Sequence, residues 1–215
     1  MFGFGQDTYA EQAVMTARAA KPSGLSFAEA AGFPIPVETA DRILEDLNAR
    51  PGQSILINGA SGGVGTVLIQ IALHRGLRVI GLAGAGNQDH LRSFGAEATT
   101  YGNGFQERVR RLAPGGIDLA ADLAGNGVLP ELVELTGRAD AVLAIADFAG
   151  AARHGVRASG RMRDPVNAFV QAVSFFEIGA LRLPVGRSFG LADAGAAQAV
   201  VEAGHAAGRT VIVMD

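Results

Sequence analysis

The sequence predicts an α/β protein with a doubly wound parallel sheet at its centre. Three observations predict it: short apolar runs alternate with segments of helical spacing, glycines mark the boundaries, and one strand-to-helix turn holds four glycines. Parallel strands need helical crossovers, and these helices cover both faces of the sheet. Regular alternation of the two element types is therefore the expected signature of this class.

The first βαβ unit is predicted at residues 54–83. Residues 54–58 form a β-branched run, and the glycine-rich turn 59–65 follows directly. Apolar residues in 66–75 recur at helical spacing, and 78–83 is a second apolar run. A strand, a glycine-rich turn, a helix and a strand within about 30 residues match one βαβ unit.

The same alternation continues to residue 178. The further predicted elements are helix 89–94, strand 98–101, helix 105–112, strand 117–122, helix 129–135, strand 141–145, a short strand near Val156 and helix 164–177. Near the ends, 9–15 predicts a strand, 193–204 a helix, and 210–214 a last strand without a place in the central sheet. We therefore expect residues 39–178 to form the central domain. Residues 1–38 and 179–215 are expected to belong to a second structural unit.

Composition narrows the possible functions. Hydrophobic residues make up 48% and charged residues 18% of the chain, which is typical of a folded core. Without cysteine the chain can form no disulfide, thiolate nucleophile or cysteine-ligated zinc site. The net charge of −3, with no basic cluster that would follow a phosphate backbone, argues against a nucleic-acid partner. No apolar run reaches the roughly 18–20 residues of a membrane span, and no signal pattern is present, so we expect a cytoplasmic protein.

The turn 59–65 is the strongest candidate for a ligand site. A glycine-rich turn between a strand and a helix is the context that indicates dinucleotide binding. We expect Gly62 to allow a tight turn, Gly63 to let backbone approach a pyrophosphate, and Gly65 to let the helix pack closely on the strand. Free N–H groups at the helix N-terminus then favour phosphate. The alternative is a glycine-rich turn that binds no ligand.

The end of the second strand selects the cofactor. NAD-binding units place an Asp or Glu there, where it binds the ribose 2′-hydroxyl. Residues 82–87 contain no acid, which disfavours NAD and leaves NADP(H) by exclusion. Asn87, His90 and Arg92 are near enough in sequence to serve a phosphate, although His90 and Arg92 fit equally well as solvated helix residues.

Catalytic residues stay unassigned at this stage. Asp122 and Asp147 follow predicted strands, where each either faces a ligand or caps the next helix. His205, beside the last strand, is more typical of a surface histidine than of a catalytic one. No Ser-His-Asp order, carboxylate pair or metal-ligand spacing is present, and we expect no metal ion.

Eight stretches of the sequence resemble the medium-chain dehydrogenase/reductase superfamily, in particular its zinc-free, quinone oxidoreductase-like branch. The stretches that carry the resemblance, in their serial order, are 9–14, 25–31, Thr39 with Ala40, 60–65, 69–72, 91–96, 116–122 and 204–211. The resemblance implies a Rossmann domain and a hydride transfer between NADPH and a quinone, an enone or a similar small molecule. It also implies that Thr39 and residues 145–147 lie near the nicotinamide and that Tyr101 lies near the adenosine phosphate.

The motif and the resemblance together define a set of candidate cofactor-binding residues. The set is Thr39, Ala60, Ser61, Gly62, Gly63, Val64, Gly65, Gly84, Asn87, Tyr101, Asp122, Ile145, Ala146 and Asp147. Gly84 departs from the family pattern, because relatives often have a serine or a basic residue at its position.

The resemblance also implies an N-terminal GroES-like barrel before the equivalent of residues 2–5. Most of it is missing here, so we expect a truncated chain in which 1–38 and 179–215 are remnants of that domain. Edge strands without a partner favour self-association, and we expect a dimer. Two other functions stay open: non-redox biosynthetic chemistry such as cyclisation or isomerisation, and a non-catalytic binding or interaction subunit.

Overall fold

The structure is a computed structural model that describes residues 1–203 and 208–214. The strands are β1 (Phe2–Gln6), β2 (Val14–Ala19), β3 (Ser54–Asn58), β4 (Arg78–Ala83), β5 (Glu97–Thr100), β6 (Leu119–Asp122), β7 (Val142–Ala144), β8 (Arg157–Ala158), β9 (Val185–Gly190) and β10 (Arg209–Val213). The helices are α1 (Phe27–Gly32), α2 (Pro34–Asp46), α3 (Gly63–His74), α4 (Gln88–Ser93), α5 (Phe105–Leu112), α6 (Leu129–Thr136), α7 (Phe148–His154), α8 (Pro165–Glu177) and α9 (Ala194–Glu202).

The chain divides into two compact units. The sheet unit is Ala40–Arg161, and the terminal unit combines Met1–Thr39 with Met162–Asp215. In the sheet unit, six strands form one parallel sheet in the order β5-β4-β3-β6-β7-β8. The chain therefore runs outward from β3 in one direction and then returns to build the other side. This confirms the predicted doubly wound sheet and places its switch point between β3 and β6.

The strands of the sheet unit are continuous apolar runs in the sequence because the core covers both faces of the sheet. Every residue of β3 is buried, as is typical of a parallel strand covered on both faces. On one face, α5 and α6 pack onto the sheet through Phe105, Val109, Leu129 and Leu132. Helix α3 contacts β3 and β4 and buries residues 65–72.

The terminal unit has a different construction. Strands β1 and β2 form an antiparallel pair, and β9 and β10 form a parallel pair. Its core is aromatic: the ring of Phe169 lies 5.5 Å from that of Phe2 and 5.2 Å from that of Phe4, and Phe33 contacts both Phe2 and Phe176 edge-on. Helix α8, which the sequence assigned to the 39–178 range, carries Phe169 and belongs to this unit.

The structure tests three predictions near the chain ends. The predicted strand 9–15 is wrong over most of its length, because β2 begins only at Val14, where pairing with Gln6 of β1 starts. The predicted last strand does lie outside the central sheet, as β10 beside β9. The predicted helix 193–204 corresponds to α9, and its last residue, like His205, lies outside the described residues. Within residues 1–203 and 208–214, no helix combines the length and apolar character needed to cross a bilayer.

Candidate functional site

The glycine-rich turn joins β3 to α3 at the switch point. Gly59 adopts φ +80°, a conformation that only glycine reaches without strain, whereas Gly62 is extended with φ −72° and ψ 172°. Gly59 therefore takes the left-handed position of the turn, and Gly62 closes the turn by donating its N–H to the Gly59 carbonyl at 3.2 Å. A Cβ on Gly59 would lie 3.2 Å from the Cβ of Ala124, so this glycine also lets the turn after β6 approach.

Gly65 has the role that the sequence predicts. A Cβ at this position would lie 2.6 Å from both Cα and the carbonyl carbon of Ala60, closer than real side chains come. The lack of a side chain thus allows α3 to pack against the end of β3. Ala60 itself is fully buried and donates its N–H to the carbonyl of Leu82 at 3.1 Å, which anchors the turn to β4.

The first turn of α3 is open for an anion. Gly62 precedes the helix and has no side chain to cap it, and the first hydrogen bond runs from the Thr66 N–H to the Gly62 carbonyl at 2.8 Å. Within the described part of the chain, the N–H groups of Gly63, Val64 and Gly65 therefore have no acceptor. Gly63 and Val64 are half-buried, so their N–H groups can reach a phosphate at the positive end of the helix dipole.

Three turns meet at this edge of the sheet through glycine contacts. Gly125, in the turn after β6, has φ +64°, and a Cβ there would lie 3.0 Å from the Cβ of Ala146 and 3.4 Å from the Asp147 nitrogen. Gly59 makes the corresponding approach to Ala124. The structure thus brings together the glycine-rich turn, the end of β6 and residues 145–147, which were predicted as parts of one site.

A buried polar cluster joins β3 and β6. Asp122 is fully buried, and its Oδ1 accepts hydrogen bonds from Asn58 Nδ2 at 2.8 Å and from the Ala124 and Gly125 N–H groups at 3.1 Å each. Asp122 therefore does not cap the next helix, since α6 begins only at Leu129 and has no side-chain cap; it holds the turn after β6 instead. Asn58 Nδ2 also donates to Asn126 Oδ1 at 2.8 Å.

Asn58 and Asn126 were not among the predicted site residues. The signal for Asn58 was a polar residue ending an otherwise apolar strand, directly opposite Asp122 in the ladder. Asp147, unlike Asp122, does cap the helix that follows it, because its Oδ1 accepts the Gly150 N–H of α7 at 2.7 Å. Thr39 is a buried residue of α2 and is the last residue of the first segment of the terminal unit.

Gly84 and Tyr101 lie close together on the other side of the switch point, where β4 and β5 end. A Cβ on Gly84 would lie 3.3 Å from the hydroxyl of Tyr101, which is 49% exposed. Asn87 donates its N–H to the Gly84 carbonyl at 3.0 Å, and Gln88 Nε2 donates to the carbonyls of Ala83 and Gly84 at 3.1 Å each. The end of β4 is thus a well-ordered turn without a carboxylate and with one exposed hydroxyl.

Three basic side chains lie on this side of the sheet. His90 Nε2 is 3.1 Å from Thr66 Oγ1, and burial lowers the pKa of His90, which favours the neutral imidazole. Arg92 pairs with the exposed Asp89 at 2.8 Å, as expected for a solvated helix residue. Arg108, which the sequence did not single out, donates to the carbonyls of Thr100 and Asn103 at 2.9 Å and so holds the turn that carries Tyr101.

Known proteins share this geometry. A family model described as zinc-binding dehydrogenase matches residues 63–155, which include the last three residues of the glycine-rich turn and the turns after β6 and β7. The quinone oxidoreductase from Thermus thermophilus, solved also as its complex with NADPH, is 31% identical and superposes with a TM-score of 0.70. The match covers 91% of this chain and 69% of that one. The chain belongs to the medium-chain dehydrogenase/reductase superfamily.

Curated relatives of this medium-chain dehydrogenase/reductase chain include single enzymes and multidomain synthases. The 2-methylene-furan-3-one reductase of Solanum lycopersicum is 34% identical over 157 residues, which are 72% of this chain and 39% of that enzyme. The pikromycin polyketide synthase component PikAII of Streptomyces venezuelae is 33% identical over 144 residues, 64% of this chain and 4% of the synthase. The chain thus spans well under half the length of these relatives.

Proposed function

We propose that this chain binds NADPH along the carboxyl edge of its parallel sheet and serves the reduction of a double bond conjugated to a carbonyl, as in an enone or a quinone. The observation that carries the proposal is the open first turn of α3 within a glycine-rich turn at the switch point. The relatives support the same class of reaction, since one is named a methylene-furanone reductase and another a quinone oxidoreductase that was solved with NADPH.

The chain offers a fitting contact for each part of the cofactor. The N–H groups of Gly63 and Val64 would hold the pyrophosphate. On the β4 side, Gly84, Asn87 and the Tyr101 hydroxyl would hold the adenosine half with its 2′-phosphate, because this turn carries no acid that would repel it.

The β7 side completes the proposed site. Residues 145–147 would lie beside the nicotinamide, with Thr39 as a further predicted contact. When bound, NADPH would supply the hydride that the substrate carbon conjugated to the carbonyl needs. The chain's own contribution is to orient the two partners, while a solvent proton completes the reduction. The dimer, the cytoplasmic location and the lack of a metal ion stay predictions.

Isothermal titration of the wild-type chain with NADPH and with NADH tests the proposal. We expect saturable NADPH binding and weaker NADH binding, because only NADPH carries the 2′-phosphate. Saturable reduction of an enone with loss of NADPH absorbance is expected in the same sample. The absence of any binding heat at millimolar NADPH would contradict the proposal.

A hydroxyl deletion tests the adenosine side. We expect Tyr101→Phe to weaken NADPH binding about tenfold and to leave NADH binding nearly unchanged, because the lost hydrogen bond goes to a charged phosphate. The matched control is Tyr9→Phe, which deletes the hydroxyl of the other tyrosine, 3.4 Å from Gln198 in the terminal unit. Equal loss of NADPH and NADH affinity in Tyr101→Phe would contradict this assignment.

A further inference from the structure

Asn126 lies in the turn between β6 and α6, and its hydrogen bond with the buried Asn58 sets the orientation of its carboxamide. Asn58 and Asp122 lie opposite each other in the ladder and are 1% and 0% exposed. Asp122 Oδ1 already accepts the Ala124 and Gly125 N–H groups, so the Asn58 amide atom that lies 2.8 Å from this acceptor is the nitrogen. The buried carboxylate therefore determines which way the Asn58 amide faces.

The same logic extends from Asn58 to Asn126. The Asn58 nitrogen has two hydrogens, and the second one points to Asn126 at 2.8 Å. The Asn126 atom at that contact must accept, so it is the oxygen Oδ1. The amide nitrogen of Asn126 is thus left as a donor. No residue in 1–203 or 208–214 accepts from it, and Asn126 is exposed.

The position of Asn126 indicates which ligand group this donor meets. Its neighbour Gly125 approaches Ala146 and Asp147, so the turn lies on the β7 side of the switch point. The Gly84 and Tyr101 pair lies on the opposite side, at the ends of β4 and β5. A neutral amide donor suits a neutral acceptor, whereas phosphate has the open N-terminus of α3 available.

We infer that Asn126 binds a ribose hydroxyl oxygen in the nicotinamide half of NADPH through Nδ2, and that the Asp122–Asn58 pair orients it for this contact. The inference rests on the proposed function and adds to it a residue outside the glycine-rich turn. The buried pair then does more than link two strands. Because Asp122 accepts from Asn58 and Asn58 donates to Asn126, the Asn126 amide nitrogen is the atom left to donate to a ligand.

The test compares Asn126→Asp with Asn48→Asp. An aspartate at 126 still accepts from Asn58, so the turn is kept while the ligand-facing donor becomes an acceptor. Asn48 is also exposed, lies in the same unit before β3, and has φ +52°, which aspartate tolerates as asparagine does. The control therefore makes the same change of charge at the opposite edge of the sheet.

Three ligands are titrated into each variant by calorimetry: NADPH, reduced nicotinamide mononucleotide and adenosine 2′,5′-bisphosphate. We expect Asn126→Asp to weaken NADPH binding about tenfold and to weaken binding of the mononucleotide comparably. Binding of the bisphosphate should change less than about twofold, as should all binding to Asn48→Asp. Asn126→Ala should show the same split between the two cofactor halves without the added charge.

Two results would overturn the inference while the proposed function stands: wild-type NADPH affinity in Asn126→Asp, or an equal loss for both cofactor halves. Failure of the wild type to bind NADPH would overturn both. A ligand titration of the wild type, followed by NMR, avoids any effect of the substitutions on folding.

The side-chain amide resonance of Asn126 is assigned by its absence from the spectrum of Asn126→Asp. In the wild type this resonance should shift with reduced mononucleotide and stay in place with the bisphosphate. A resonance that does not shift with the mononucleotide would also overturn the inference.

Discussion

The two units of this chain are stabilised in different ways. In the sheet unit one parallel sheet continues through six strands, and β3 has no exposed residue. In the terminal unit each sheet has two strands, and large apolar side chains such as Val14 and Val170 are more than half exposed. Two-stranded sheets are marginal by themselves, so the terminal unit relies on a few aromatic contacts.

The two units also differ in where a polar side chain contributes most to stability. The sheet unit buries the Asp122 carboxyl group with no exposed surface at its switch point, where three donors converge on Oδ1 and Oδ2 has no hydrogen-bond partner among the described residues. The terminal unit places its best-defined polar motif at the surface, where Ser26 and Glu29 cap α1. Removing the buried group should therefore cost far more than removing the exposed one.

The largest effect is expected for Asp122→Ala. The substitution leaves the Asn58 amide and the Ala124 and Gly125 N–H groups without their acceptor, and we expect the free energy of unfolding to fall by about 3–5 kcal/mol. Urea unfolding followed by far-UV circular dichroism measures it, since the chain has no tryptophan. Asp118→Ala is the control, because that carboxylate is exposed and accepts from the Ser54 N–H and hydroxyl. Equal losses in the two variants would contradict the importance of burial.

A smaller loss is expected for Gly65→Ala. The new Cβ would lie 2.6 Å from backbone atoms of Ala60, so α3 must move away from β3. We expect a loss of about 1–3 kcal/mol in unfolding free energy and weaker NADPH binding. Gly115→Ala is the control, because a Cβ there meets no atom within 4 Å. Unchanged stability of Gly65→Ala would refute the close packing at this turn.

In the terminal unit, Phe169→Leu tests the aromatic core. The ring is fully buried and contacts Phe2 and Phe4, so its loss should cost about 1–2 kcal/mol. Faster amide hydrogen exchange in β1 and β2 is the readout. Phe27→Leu, at a ring that is 75% exposed, should leave exchange there unchanged. A core that tolerates leucine at 169 would make the two units more alike than the structure indicates.

The smallest effect concerns the cap of α1. Ser26 Oγ accepts the Glu29 N–H at 3.2 Å and donates to Glu29 Oε2 at 2.6 Å. Ser26→Ala should lower the unfolding free energy by about 1 kcal/mol at neutral pH. Ser23→Ala, at an exposed serine in the same loop, is the control.

The effect of Ser26→Ala should also depend on pH. Hydrogen bonds from Ser26 lower the pKa of Glu29 below its ordinary value of 4.5. The folded state therefore binds the proton less readily than the unfolded state, so this contribution is present above pH 4.5 and is lost as the pH falls through the lowered pKa. The difference between wild type and Ser26→Ala should shrink on acidification. A difference that is constant with pH would show that the Glu29 charge plays no part.

The sequence predicted most of the sheet unit because its elements are local. The bounds of β3 and β4 follow directly from apolar runs between glycines, and α3 follows from helical spacing. Helix α2 was not among the elements predicted from spacing. Pro34 and Pro36 lie in its first turn, where proline is tolerated. In the terminal unit β2 was misplaced, since its start depends on pairing with β1 rather than on its own residues.

The site was predicted unevenly for the same reason. Gly65 could be assigned from the motif, because strand, turn and helix are consecutive in the chain. The roles of Gly59 and Gly62 depend on backbone angles that a motif does not specify. Asn126 could not be found, because its contact with Asn58 joins residues 68 positions apart, and only the strand order brings them together.

The glycine contacts of the three turns have a consequence for how this site can change. Gly59, Gly65 and Gly125 lie where any side chain would crowd neighbouring atoms, so the surface beneath a ligand is mostly main chain. Substitutions can change this main-chain surface very little. Divergence or engineering of ligand preference must act on the few side chains that rise from that surface, such as Tyr101 and Asn126. Saturation libraries restricted to such positions would sample most of the accessible variety while leaving the scaffold intact.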